Sequence, residues 1–350
     1  MAQMYRQIAK ELESGLAQMR LDGQLRLPTE EELCRMYSCS RQTVRSALDL
    51  MVNKGLIVKK RGSGSYISEK VASISRSVFL IVENEDEYTN PEFVTALKSA
   101  LKKNGHDLKC LATEGSLEKE REALTLAMSS SPAAVIIEPI SNILPNHNLP
   151  LIGSISAQGT PVIYLNTSYP SPADAMCIRE DNIEGAKKLV SYLKDNRHTN
   201  IACIFRCDDS RGLERYKGYV AALYENGMPF DEKRVFFFTG NDRRRILSGS
   251  DEFLQRAVSD MPPEVTAVIC QNDEIAYRLI KVLEKNRRPD VAVVSFDNSY
   301  YASGPSSITS LGHSKKELIS ATAEAVFSAV CHKDYYPAPI RWHLHTRRSG

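Results

Sequence analysis

The run Ser40-Arg41-Gln42-Thr43-Val44-Arg45 places two arginines and an amide at the start of a segment whose apolar residues, Val44, Ala47, Leu48 and Met51, recur at helical spacing. Arginine can donate two hydrogen bonds to guanine, and glutamine can bond adenine bidentately. Ser40 and Thr43, together with the helix N-terminus, can hold phosphate oxygens. A second basic group follows, Lys59-Lys60-Arg61, against Gly62-Ser63-Gly64. Glycines let a backbone approach another molecule closely, and a glycine-flanked Arg61 suits an adjacent minor groove. No Gly-Lys-[Ser/Thr] follows these glycines, so they are not a nucleotide-binding P-loop. The chemistry expected of this segment is recognition of duplex DNA.

Such residues need a rigid mount. Residues 5 to 54 predict three helices. In the first, Tyr5, Ile8, Leu12, Leu16 and Met19 form one apolar face. The second starts at Thr29 with Glu32 completing a capping box, and the third starts at the cap Ser40 and stops at Gly55. The period then turns extended, with strand-like runs at 56–60 and 65–68 around a hairpin tip at Arg61-Gly62-Ser63-Gly64. Three helices and a hairpin make a winged helix over residues 1–70, with a polar linker at 71–77.

From residue 78 to 350, apolar runs alternate with helical segments. Strands are expected at 78–82, 108–112, 134–137, 162–165, 201–205, 235–238, 267–270 and 291–296, and the helices between include 91–104, 117–130, 183–196, 213–226, 252–261 and 274–285. Continuous apolar strands with helical crossovers imply parallel sheets covered on both faces. Eight such units exceed a comfortable single sheet, so two doubly wound lobes are expected, with a ligand crevice outside the carboxyl ends of their strands. The fold class is therefore α/β with a winged helix-turn-helix in front.

Composition supports this division. The 350 residues carry 45 Lys+Arg against 43 Asp+Glu, a formal net charge of +2, with 42% hydrophobic and 25% charged residues, as in an ordinary globular protein. The first 70 residues hold 12 Lys+Arg against 8 Asp+Glu, whereas the remainder holds 33 against 35. The positive excess thus lies where an anionic partner is expected. No apolar signal core opens the chain and no run of 18 uncharged apolar residues occurs, so a cytoplasmic protein free of membrane is expected, its eight cysteines reduced. Cys34-x4-Cys39 and Cys203-x3-Cys207 lack zinc-finger partners, His343-x-His345 lacks a third ligand, and no Gly-x-Ser-x-Gly occurs, so no metal, cofactor or catalytic centre is expected. The Asp208-Asp209 and Arg243-Arg244-Arg245 runs read as solvated loop charge.

Leu27-Pro28-Thr29-Glu30-Glu31-Glu32-Leu33, the Ser40–Leu48 run, Gly55-Leu56-Ile57 and Gly62-Ser63-Gly64-Ser65-Tyr66-Ile67 resemble the winged-helix domain of the gluconate-repressor (GntR) family. The resemblance implies DNA contacts at Arg41, Thr43, Arg45 and the wing glycines, with Glu30 opening the second helix where family members often meet phosphate. The segments around Gly159–Asn166, Asp181–Ala186, Arg215–Tyr219, Ala267–Ala276 and Val293–Asn298 resemble the sugar-binding part of lactose/galactose-type repressors, itself similar to periplasmic sugar-binding proteins. Head and sensor together resemble the arabinose-type repressors of Gram-positive bacteria.

The resemblance implies a sugar site at the strand ends. Asp181, Arg215, Asn272 and Asp297 supply acceptors, a fixed donor fork and an amide that does both, which suits a ligand made of hydroxyls. Glu138 and Asn166 follow their strands in the first lobe, and Tyr88 could cover the sugar's C–H face. Asp181 and Asn272 are equally good helix caps, and Asp297 a loop carboxylate. The expectation is a homodimeric repressor that binds operator DNA and is controlled by L-arabinose or a related pentose. The alternatives are a winged helix fused to a sugar-metabolising or other enzyme, for which no pyridoxal-lysine context is present, and a transport-type binding protein, against which the basic head argues.

Overall fold

The computed structural model describes residues 2–21, 24–60, 62–68, 76–84, 90–170, 176–331 and 333–350. Most of the expected linker, and both Arg61 and Tyr88, lie outside the described residues.

The head consists of α1 (Ala2–Leu21), α2 (Glu30–Met36), α3 (Arg41–Asn53) and the antiparallel hairpin of β1 (Ile57–Lys60) and β2 (Gly64–Ile67). Its helix starts follow from side-chain caps. Thr29 accepts the Glu32 N–H at 3.3 Å while Glu32 takes the Thr29 N–H at 2.7 Å, and the Ser40 hydroxyl accepts the Thr43 N–H at 3.2 Å. The core gathers Ile8, Leu12 and Leu16 of α1, Leu33 of α2, and the α3 stripe Val44–Ala47–Leu48–Met51. Ile57 and Ile67, opposite each other in the hairpin, close it.

The first lobe of the sensor contains β3 (Ser77–Val82), α4 (Asn90–Lys103), β4 (Asp107–Ala112), α5 (Leu117–Ser130), β5 (Ala134–Ile137), α6 (Leu149–Ala157), β6 (Val162–Leu165) and β7 (Cys177–Ile178), a five-stranded parallel sheet in the order β4-β3-β5-β6-β7. The chain then crosses into the second lobe through α7 (Asn182–Asp195), β8 (Ile201–Arg206), α8 (Ser210–Glu225), β9 (Val235–Phe238), α9 (Gly240–Leu247), α10 (Glu252–Asp260), β10 (Ala267–Cys270), α11 (Asp273–Lys285), β11 (Ala292–Phe296), α12 (Tyr300–Ser303) and β12 (Thr309–His313). It returns as α13 (Lys315–Val330), which packs on α4 in the first lobe, and crosses a third time to β13 (Trp342–His345). The second sheet runs β13-β12-β11-β10-β8-β9.

The strands expected from apolar runs are present, with ends within one residue. Three short strands and four helices were not legible as such. β13 pairs antiparallel with β12, so the second sheet is parallel except at that edge. Its buried Trp342 alternates with exposed His343 and His345, a half-buried edge strand rather than a continuous apolar run. α7 and α8 pack closely because a Cβ at Gly218 would stand 2.2 Å from the Ile183 carbonyl oxygen.

Candidate nucleic-acid interface and ligand cleft

The exposed face of α3 carries Arg41, Gln42 and Arg45, opposite the buried Val44–Met51 stripe. Ser40 caps the helix, and its hydroxyl lies 2.8 Å from that of Thr43. Arg45 does not project freely. Its Nε donates to both oxygens of Glu30 on α2, at 3.0 and 3.2 Å, which fixes the guanidinium beside the α2 start. Lys59 on β1 reaches Asp49 on α3 at 2.7 Å and sets the hairpin against the helix. At the tip, Gly62 and Gly64 have φ of +75° and +116°, a region costly for any other residue here. Ser63 meets the Tyr66 hydroxyl at 2.6 Å, and the Lys60 ammonium sits 4.9 Å from the Tyr66 ring centre. The Lys59–Asp49 contact thus ties the hairpin to the helix that carries the exposed cations.

The sensor's lobes close over a cavity of about 120 Å³ at the carboxyl ends of both sheets. From the first lobe it is lined by Glu83 after β3, Glu138 after β5 and Asn166 after β6. From the second it is lined by Arg215 of α8, by Asn272 after β10 and by Asp297 after β11. Glu180 and His313 sit on two of the interlobe crossovers at its floor, 3.9 Å apart.

Charge is arranged tightly around this cavity. Arg211 donates to Asp209 at 2.6 Å and across the cleft to Glu138 at 3.0 Å. Burial disfavours the charge on Asp209, but Arg211 and Arg206 outweigh it and hold the carboxyl well below the usual carboxylate range. Burial pulls the Arg215 pKa down from its usual value, against the opposing pull of Asp297 and Glu180. The Arg215 side chain is fixed by Asn182 Oδ1 at 3.0 Å and by the Gln271 carbonyl oxygen, with its guanidinium 4.0 Å from the Phe296 ring centre. Arg243 reaches Glu83 across the cleft at 2.9 Å. Asn142 of the first lobe exchanges hydrogen bonds of 2.9 and 2.8 Å with Ser210 at the start of α8.

Asp297 and Asn298 both have positive φ, +97° and +48°. Asp273 holds this strained turn. Its carboxylate accepts the Ser299 N–H at 2.6 Å, the Ser310 hydroxyl at 2.6 Å and the Ser295 hydroxyl. Burial, reinforced by Asp297, pushes the Asp273 carboxyl up to about 6. Among the described residues, no group of three or more His, Cys, Asp or Glu could hold a metal ion, and no helix is long and apolar enough to cross a membrane.

Residues 75–311 match the family of periplasmic binding proteins and the sugar binding domain of the LacI family, and residues 4–67 match the bacterial regulatory proteins of the gntR family. The chain belongs to the LacI-type sugar-binding family and carries a gntR-type head. It is 26% identical over 316 residues to the arabinose metabolism transcriptional repressor of Halalkalibacterium halodurans, covering 87% of this chain and 83% of that protein. It is 25% identical over 334 residues to the repressor of the same name from Geobacillus stearothermophilus, covering 93% and 91%. Among solved structures, the transcriptional regulator CelR in complex with cellobiose aligns with a TM-score of 0.67 at 20% identity, over 93% of this chain and all of that one. A putative transcription regulator of Staphylococcus saprophyticus aligns with a TM-score of 0.66 at 18% identity, over 79% and 98%. The protein is thus a transcriptional repressor of the GntR/LacI type with a sugar-binding domain, not an enzyme carrying a DNA-binding appendage.

In this LacI-type regulator, five of the ligand residues expected from sequence, Glu138, Asn166, Arg215, Asn272 and Asp297, meet in one cavity. Asn272 also caps α11 through the Ile275 N–H at 3.1 Å. Asp181 caps α7 by accepting the Glu184 N–H at 3.3 Å and is not among the cavity's lining residues; its neighbour Glu180 is. The reading of Asp208-Asp209 and of Arg243 as solvated charge is corrected: all three are buried, Asp208 against Arg206 and against Ser141 of the first lobe, Asp209 against Arg211, and Arg243 against Glu83 of the first lobe. Asp209 caps α8 by accepting the Arg211 N–H at 2.9 Å, and a cap directly after an apolar strand was the signal that could have marked it. Glu180, His313 and Arg243 carried no comparable signal, because the crossovers and α9 bring them together only in three dimensions.

Proposed function

We propose that this repressor binds a pseudo-palindromic operator as a homodimer and releases it when a small uncharged sugar, L-arabinose or a related pentose, occupies the cavity between its lobes. The DNA contacts are Ser40, Arg41, Gln42, Thr43 and Arg45 of α3 with the wing Arg61-Gly62-Ser63-Gly64, and Glu30 orients Arg45. A two-fold protein reading two half-sites is the common solution for such heads. Glu138, Asn166, Arg215, Asn272 and Asp297 read the sugar hydroxyls, joined by Glu180 and His313. Asp181 acts through the α7 start, and Tyr88 covers the sugar's apolar face.

The observation that carries this reading is the inventory of the cavity: each carboxylate and each arginine already has an opposite charge nearby, so the site as a whole calls for hydroxyls rather than a net charge. Buried Glu180 Oε2, Asn166 Oδ1 and His313 Nδ1 have no hydrogen-bond partner. Leaving such groups unpaired costs about 1–3 kcal/mol each, which a polyhydroxy ligand offsets. A ligand that binds only the folded state raises the melting temperature. A thermal-shift screen of pentoses, hexoses and their phosphates is therefore expected to single out a free pentose. A response to sugar phosphates alone, or to no sugar, overturns the assignment.

A further inference from the structure

The helix-turn-helix contains two thiols that DNA recognition leaves unused. Cys34 is in the last turn of α2, Tyr37 caps that helix, and Cys39 immediately precedes the α3 cap Ser40. Ser38 between them adopts φ +48°. The Cys39 N–H donates to the Cys34 carbonyl at 3.2 Å and the Ser38 N–H to the Arg35 carbonyl at 3.4 Å. This pair of bonds, with a left-handed residue after the cap, is the Schellman ending of a helix, in which the side chains at the two ends of the longer bond frequently contact each other. Here those side chains are the two thiols. Both are part-exposed while packing against the edge of the head's core, and Cys34 lies close enough for its charge to act on the Cys39 thiol.

We propose that Cys34 and Cys39 form a modification site at which a hydroperoxide joins them in a disulfide, displacing the start of the recognition helix and weakening operator binding. The Cys34 thiolate attacks the peroxide O–O bond, giving a sulfenic acid and releasing the alcohol or water. The Cys39 thiol then attacks the sulfenic sulfur, and water leaves as the disulfide forms. The two thiols lose two electrons and two protons, and the peroxide bond takes both electrons. Burial, and secondarily the nearby Cys34, pushes the Cys39 thiol up, which assigns Cys39 the second step.

A disulfide bond of about 2.05 Å is much shorter than a non-bonded contact between two sulfurs. Closing it draws residue 39 toward α2 and drags the adjoining Ser40 cap and Arg41 with it. The arginines of α3 then no longer match both α2 and the groove. Losing one bidentate base contact lowers affinity about tenfold, and that is the effect expected here.

The test uses the full chain with exposed Cys331 replaced by serine, which removes intermolecular linkage. Trypsin cuts after Arg26, Arg35 and Arg41, so the two cysteines fall in separate peptides, 27–35 and 36–41, unless a disulfide joins them. After hydrogen peroxide the peptides are expected to stay joined, operator affinity to fall about tenfold, and dithiothreitol to reverse both. Cys34→Ser and Cys39→Val should bind operator as the reduced parent does and ignore peroxide. Separate peptides after peroxide, or joined peptides with unchanged affinity, overturn the proposal. A reduced chain that binds no duplex DNA counts instead against the repressor reading on which the affinity arm rests.

Discussion

Glu83 is the sharpest point at which to test whether closure of the lobes is coupled to the effector. Its carboxylate accepts from Arg243 at 2.9 Å and lies 3.8 Å from Arg206, both from the opposite lobe. These contacts exist only while the lobes are together, so their loss falls on the closed state alone. A charge-assisted hydrogen bond contributes about 1.5–3 kcal/mol net. The Glu83 side chain is 22% exposed, and glutamine retains one acceptor oxygen, so the loss for Glu83→Gln is about 1 kcal/mol after solvent screening. At about 1.4 kcal/mol per tenfold, effector affinity should fall about fivefold, while operator affinity without sugar should stay level or rise. The assay is provided by the molecule. The chain's single tryptophan, Trp342, stacks edge-on to His313 at the cavity floor with ring centres 5.2 Å apart, so its fluorescence follows sugar binding. Arg243→Gln and the double variant complete a thermodynamic cycle, and the two substitutions should be strongly non-additive. Unchanged sugar affinity in Glu83→Gln, or simple additivity in the double variant, would refute the coupling.

Three further outcomes follow from the same structure. Arg45→Ala should weaken operator binding by about 1–3 kcal/mol if Arg45 reads a base, and unaltered affinity in a filter-binding assay removes it from the readout. Leu48→Ala, at a wholly buried position of the head's core, should cost about 2–5 kcal/mol and abolish DNA binding, while the sensor's thermal shift with sugar persists; loss of both signals would mean that head and sensor do not fold independently. Asp273, whose carboxyl is pushed up to about 6, holds its proton more tightly folded than unfolded, where a carboxyl sits near 3.9. It therefore contributes a stability that is largest at low pH and lost as pH rises toward 6. Asp273→Asn should flatten that decline in urea titrations between about pH 4 and 6, and an unchanged slope would assign the decline to another group.

How much of this was legible in the sequence differs by region. The head was readable almost entirely, because its signals are local: Thr29 with Glu32, the Ser40 cap, the α3 stripe and the wing glycines each act within a few residues. The parallel strands were equally plain, since burial on both faces leaves unbroken apolar runs such as 134–137 and 267–270. The cleft was legible where a polar residue closely follows such a strand, as with Glu138, Asn166, Asn272 and Asp297, and at Arg215 through the resemblance. Arg243 and His313 escaped because their partners Glu83 and Glu180 are far away in sequence, and a run such as Arg243-Arg244-Arg245 looks the same whether it faces water or a carboxylate. α13 escaped for a related reason. Its small residues pack on the first lobe between two neighbouring strands of the second sheet, β12 and β13, an order that periodicity cannot convey.

The most direct measurement is fluorescence anisotropy of the full chain on a duplex selected from random-sequence DNA by the protein itself, titrated with and without L-arabinose and the other free pentoses. One pentose is expected to weaken operator binding by about 5–150-fold, and the operator to weaken binding of that pentose by the same factor, since the coupling is reciprocal. Operator affinity that stays constant across every pentose and hexose would contradict it.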